Sequence, residues 1–148
     1  MSRSRFIVHL LAACLLFAAG GAYAADTVVL YKRASCGCCG GWADHMRAAG
    51  FNVNVVEVAD PGEIRRQHGI PDVATCHTAV VNGYAVEGHV PAREVKRLLA
   101  EHPKARGLAL PRMPVGAPGM EQGGKVDPYD VFLVQADGSF AVYARYGR

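Results

Sequence analysis

Three cysteines fall within four positions of ASCGCCGGW (residues 34–42): Cys36, Cys38 and Cys39. A fourth, Cys76, opens the later run CHTAVV. Thiols this crowded can staple a chain, exchange electrons or hold a soft metal. A bridge closing so small a loop removes little unfolded-state entropy, and the neighbours Cys38 and Cys39 could pair only with strain. The staple is therefore the weakest reading. Cys36 and Cys39 frame C-x-x-C, the spacing of a dithiol redox couple. Cys38 is superfluous to that couple and would give wrong mixed disulfides beside it. A Cu(I) site gains from the extra thiol, because soft ions prefer thiolates and sulfurs can bridge several ions. Zinc also accepts four cysteines, but usually as two spaced pairs rather than three ligands in one turn. Copper leads, zinc follows, and the redox couple stays open.

Whether these residues meet depends on the elements around them. TVVLYKR (27–33) is a β-rich apolar run and reads as the first strand. In GWADHMRAAG (41–50), Trp42, His45, Met46 and Ala49 share one face of a helix that Gly50 ends. FNVNVVEVA (51–59) is a second strand, and DPGEIRRQHG (60–69) a helix with Asp60 as N-cap and Pro61 in its first position. CHTAVVNGYAVEG (76–88) reads as two strands around Asn82-Gly83, and PAREVKRLLAEH (91–102) as an amphipathic helix. Residues 103–128 are rich in Pro and Gly and read as a long loop. YDVFLVQADGSFAVYARY (129–146) is a hairpin turning at Asp137-Gly138.

This order predicts an α/β fold: a thioredoxin-like mixed sheet flanked by helices, with the long Pro/Gly-rich loop and a C-terminal β-hairpin. In such a fold the segment entering the third strand lies beside the cysteine loop. Thr75, Cys76 and His77 are then expected near Cys36–Cys39. Cys38 and Cys39 fall at the expected helix start, where free N–H groups and the helix dipole favour thiolate over thiol.

Around that sulfur set stand weaker candidates. Met113 and Met120 sit in the Pro/Gly-rich loop, where each is either a gap-filler or a thioether closing over Cu(I). His77 is a candidate ligand, although adjacent strand residues face opposite ways and could turn it from Cys76. His45 is expected to pack near Trp42, and His89 to end a strand before the Pro91 helix. His68 and His102 fall at helix ends, where a cation suits the dipole.

The chain starts with MSRSR, the apolar run FIVHLLAACLLFAAGGA and the small-x-small AYA, the layout of a secretory signal peptide over residues 1–24 cut near Ala24. LAAC, ending at Cys14, resembles a lipoprotein box, but a long apolar run follows it, so soluble export is the preferred reading. The functional domain is then residues 25–148, long enough for one domain with its own core. Taking Arg3 and Arg5 from the 16 Lys and Arg of the full chain leaves fourteen against 13 Asp and Glu. So even a balance gives no electrostatic reason to expect a nucleic acid or an anionic membrane as partner.

CGCCGGWADHM, TCHTAVVNGYAVEGHVPA and GLALPRMPVGAPGM together resemble the CopG-type proteins, exported thioredoxin-like proteins associated with bacterial copper resistance. The resemblance spans essentially the whole chain after the leader. It implies a periplasmic protein that binds copper through the Cys-x-Cys-Cys loop as a multinuclear cluster, and that interconverts Cu(I) and Cu(II). Cys36, Cys38 and Cys39 are its main ligands on that reading, with Cys76 beside them. The expected partners are copper ions and other periplasmic copper carriers. Two rivals stand: a thiol–disulfide oxidoreductase using Cys36 and Cys39, and a domain in which the metal is purely structural.

Overall fold

Alternation in TVVLYK builds β1 (Thr27–Lys32), whose Val28 and Leu30 are fully buried. The computed structural model describes residues 24–148; the expected leader, apart from Ala24, lies outside the described residues, and so does Cys14. After β1 come α1 (Gly37–Ala48), β2 (Asn52–Glu57), α2 (Gly62–Gln67), β3 (His77–Val81), β4 (Tyr84–Glu87) and α3 (Ala92–Glu101). The chain closes with β5 (Ala105–Ala109), β6 (Tyr129–Gln135) and β7 (Phe140–Tyr146). The seven strands form one mixed sheet in the order β2-β1-β3-β4-β5-β6-β7. Pairs β1–β2 and β4–β5 are parallel and the others antiparallel. The fold is mixed α/β, with three helices against that sheet.

Turn chemistry holds where it was read. Asn82 and Gly83 both take positive φ, 47° and 84°, as a two-residue hairpin loop requires. Asp60 accepts the Gly62 N–H at 2.9 Å, although Pro61 is the residue that caps α2. Two boundaries differ. The first helix takes in the cysteine loop, with Cys36 as its N-cap. The segment read as a loop from residue 103 instead contains β5, so the irregular stretch starts only after Ala109. Alternation could not show β5: the strand is central, Gly107, Leu108 and Ala109 are all buried, and glycine interrupts the run. Gly107 has φ 153°, and a Cβ there would strike the Ala85 carbonyl of the adjacent strand. Only glycine permits that approach.

One sheet face carries the main core, where Trp42, Ala43 and Met46 of α1 and Val95, Leu98 and Leu99 of α3 pack on Leu30, Val86 and Leu108. The opposite face buries Ile70, Ala85, Ala109 and Val134. Among the described residues, no helix is long and apolar enough to cross a membrane. The pairing register fixes where chemistry can gather. Lys32 pairs with His77, Thr78 with Glu87 and Glu87 with Ala109. The ends of β1, β4 and β5 and the start of β3 therefore meet at one end of the sheet.

Candidate metal centre

That shared end carries the cysteines. The chain turns after β1 with the Cys36 N–H donating to Arg33 O at 3.0 Å, and enters α1 directly. Cys38 and Cys39 lie in the first helical turn, whose N–H groups have no intrahelical partner. Across the sheet end, Cys76 precedes β3 and meets them. Cys39 Sγ lies 3.6 Å from Cys76 Sγ, and Cys36 Sγ 3.6 Å from Cys38 Sγ. Cys36 and Cys39 are joined in a disulfide, while Cys38 and Cys76 are free. All four sulfurs lie within 4.8 Å of one another.

Two imidazoles complete the setting. His77 does not turn away: its Nδ1 is 3.4 Å from Cys76 Sγ, because Cys76 lies just outside the strand and escapes the alternation rule. His77 packs on Trp42, ring centroids 4.8 Å apart, and its Nε2 is buried without a partner. His89 Nε2 lies 3.3 Å from Cys76 Sγ, and its Nδ1 is 2.7 Å from Pro118 O. A carbonyl can only accept, so Nδ1 carries the proton and Nε2 presents its lone pair to the sulfur. Cys76, His77 and His89 thus form a second donor group sharing a thiol with the first.

Reading the sequence alone undervalued His89, yet a signal was there. A two-residue turn at Asn82-Gly83 pairs Val81 with Tyr84 and Thr78 with Glu87. Continuing that register outward sets Cys76 opposite His89. His45 belongs elsewhere: its Nε2 accepts the Ala92 N–H at 3.0 Å, at the start of α3.

The Pro/Gly-rich loop comes down on the cysteine helix. Pro118 supplies the carbonyl for His89, and Gly119 backs onto Gly41 and Trp42. A Cβ on Gly119, at φ 82°, would stand 2.6 Å from Trp42 N and 2.8 Å from Cys38 O. Met120 follows and packs, half-buried, against the main core. Met113 is not brought along. It is 49% exposed and lines a separate cleft with Pro114, Asp127 and Tyr129.

Burial sets the protonation of the metal-free site. Desolvation, reinforced by Cys38, pushes the Cys76 thiol up to about 12. Desolvation and the neighbouring His89 bring His77 down to about 3, and burial also lowers His89. Both imidazoles are neutral at pH 7 and can donate to a metal. Beneath them lies Glu87, fully buried, with Oε2 accepting from Thr75 Oγ1 at 2.9 Å and Oε1 unpartnered. Burial raises its carboxyl to about 7. A cleft of about 460 Å³ opens beside the site, with Cys36, Cys76 and His77 on its wall. Two free thiols, a disulfide that yields two more on reduction, and two neutral imidazoles converge on one point, a soft donor set suited to copper above harder cations.

Comparison with known proteins agrees with that chemistry. Residues 73–120, which hold Cys76, His77, His89 and the descending loop, match the family described as "Protein of unknown function, DUF411". No curated protein sequence matches the chain. Two solved structures of the copper resistance protein CopG are similar to it. Form 2 is 38% identical over 84% of this chain and all of its own, with a TM-score of 0.79. Form 1 is 40% identical over 81% of this chain and 96% of its own, with a TM-score of 0.76. Identity at that level over most of both chains, on a cysteine cluster that could bind metal, makes the function copper-related, and the chain belongs to the CopG family of copper resistance proteins.

Proposed function

We propose that the protein is a periplasmic copper-handling protein that holds Cu(I) on Cys36, Cys38, Cys39 and Cys76 as a multinuclear thiolate cluster. The observation that carries this is the convergence of four sulfurs, from two distant segments, within 4.8 Å. Donors that close favour bridging over separate single-ion sites, and bridging thiolates are a Cu(I) habit. The signal-like leader supports export. The element order and the sheet order β2-β1-β3-β4 support a thioredoxin-like reading of the core. Copper is cargo on this reading. His89, fixed through Pro118, and His77 complete the donor set, with Met120 a candidate thioether above it.

The same sulfurs can move electrons. When Cys36 and Cys39 pass from two thiolates to a disulfide they release two electrons, enough to take two Cu(II) to two Cu(I). Cys38, Cys76, His77 and His89 remain to hold the ions so formed. Loading the site displaces a proton from Cys76, whose thiol is held protonated up to about 12. Apparent Cu(I) affinity should therefore rise with pH.

The decisive experiment is anaerobic Cu(I) titration of the reduced protein against a competing chelator, repeated for Cys38→Ser. Several ions per wild-type chain and a sharp loss in the variant are expected. A reduced protein that ignores Cu(I) would overturn the proposal. One observation favours a second reading, a thiol–disulfide oxidoreductase: Cys36 and Cys39 are paired, with Cys36 partly exposed and Cys39 buried. That function would survive Cys38→Ser.

A further inference from the structure

The cleft beside the sulfurs has a composition that copper binding does not explain. Bare ions need only donors, whereas this space of about 460 Å³ falls in the range of small-molecule sites, about 300–1,000 Å³. One wall is sulfur, from Cys36 and Cys76; the others are polar and carry Arg33, Arg65, Asp60 and Asp72. The two signs are not equally free. Asp60 accepts from the Gly62 N–H at 2.9 Å and from Arg66 Nη2 at 3.2 Å, with Arg33 Nη2 at 3.8 Å. Its carboxylate is thus already shared among three donors. Arg33 is tied through its Nε, to Ala59 O at 3.0 Å, which leaves its terminal nitrogens turned to a shared carboxylate. Arg65 donates through its terminal nitrogens to Val73 O and Asp72, while its Nε is buried without a partner. Guanidinium donors outnumber the acceptors left for them.

Access to the disulfide is one-sided. Cys39 is fully buried, while Cys36 is half-exposed and lines the cleft. We propose that this cleft docks a small thiol bearing carboxylates, which reduces the Cys36–Cys39 disulfide by attack on Cys36 Sγ. The inference rests on the redox part of the function proposed above and names the electron donor for it. The external thiolate bonds to Cys36 Sγ, the Cys36–Cys39 bond breaks, and Cys39 leaves as a thiolate in the first turn of α1, where free N–H groups stabilise it. A second external thiolate then attacks the sulfur of the bound molecule. The products are a small-molecule disulfide and the Cys36 thiolate. Two external thiols are oxidised, one protein disulfide is reduced, and their two protons pass to the cysteines or to water. Arg33, whose terminal nitrogens have only the shared Asp60 carboxylate, holds a carboxylate of the thiol, and Arg65 adds its charge from the wall; the sulfur reaches inward, and a recessed cleft favours a small molecule over a protein.

The test uses metal-free, oxidised protein, so copper affinity plays no part in its outcome. Reduction of the Cys36–Cys39 disulfide is followed by trapping free thiols, with glutathione, 2-mercaptoethanol and cysteamine as donors. Each rate is divided by that thiol's rate on an unstructured disulfide at the same pH, removing differences in nucleophilicity. Glutathione should lead 2-mercaptoethanol by about tenfold, with cysteamine slowest, and the ordering should weaken as salt is raised. The exposed Arg33→Gln variant, which carries little risk to folding, should narrow the gap; Arg65→Gln, checked by thermal melting, should narrow it further. Equal corrected rates, or a gap untouched by both variants, would overturn the docking proposal. If dithiothreitol also fails to reduce the pair, the redox reading falls with it; if dithiothreitol succeeds and no charge ordering appears, the docking proposal alone is lost.

Discussion

Two polar regions of this molecule are built in opposite ways. Where α3 meets the final hairpin, Glu94 is buried yet wholly engaged: Tyr146 donates to it at 2.6 Å, and Arg93 and Arg97 reach it at 2.8 and 3.5 Å. Tyr143 donates to Glu101, and both arginines lie over tyrosine rings. At the sulfur end, burial is as deep but pairing is incomplete. The buried side-chain atoms without partners are Arg65 Nε, His77 Nε2 and Glu87 Oε1 among the described residues, and every one belongs to that end. Buried polar groups are normally satisfied, so clustered exceptions mark a place where something else is bound or moved. The hairpin seam is polar for stability; the sulfur end is polar for chemistry.

Substitution should separate the two. Cys76→Ser removes the sulfur shared by both donor groups, and should cost on the order of 1,000-fold in Cu(I) affinity, about 4 kcal/mol, in a chelator competition. Its unfolding midpoint in urea should hardly move. Glu94→Ala should do the reverse: about 2–3 kcal/mol lost in urea unfolding, from a buried acceptor serving several donors, with Cu(I) affinity unchanged. A Glu94 variant that lost copper as well would show the regions to be coupled and break the contrast.

Legibility from sequence follows the same division. Strands and helices with periodic apolar faces, such as TVVLYK and the Val95–Leu98–Leu99 face, could be read directly, as could both hairpin turns. The meeting of Cys76 with the cysteine loop was also legible, since it needs only the order of the elements. β5 was not, because a strand buried on both faces and broken by Gly107 carries no alternation. His89 was missed because its role depends on pairing across a hairpin rather than on its own neighbours in the chain. Glu87 was missed for a further reason: nothing in YAVEG reveals that a strand-end glutamate will be covered on every side.

Glu87 offers a subtler way to sharpen the contrast. Its folded carboxyl titrates near 7, above the ordinary 4.5, so the fold prefers it protonated. Its contribution to stability is then neutral below about pH 4.5, falls as pH rises through the interval, and is a full cost above 7. His77, depressed to about 3 from 6.5, runs the other way: the stability tied to it is complete above 6.5 and is lost as pH falls. Glu87→Gln should therefore stabilise the metal-free protein by about 2 kcal/mol at pH 8, with no gain at pH 4, and leave the acid-side loss in place. A gain independent of pH would mean the carboxyl titrates alike in the folded and unfolded chains, and that burial does not raise it.

The smallest effects concern the two loop methionines, which the sequence alone could not tell apart. Both are thioethers, and both lie in the irregular stretch after β5. Gly119 seats the Met120 end of that stretch against Gly41 and Trp42, beside the first turn of the cysteine helix. Met113 points its exposure to a different cleft, which shares no lining residue with the one at Cys36 and Cys76. Leucine keeps the size of methionine and removes the sulfur, so it isolates ligation from packing. Met120→Leu should weaken Cu(I) binding by a few-fold, about 1 kcal/mol, while Met113→Leu should leave it unchanged. If Met113→Leu proved the more damaging, the loop would have to refold when copper binds, and the boundary between the two regions would shift with the metal.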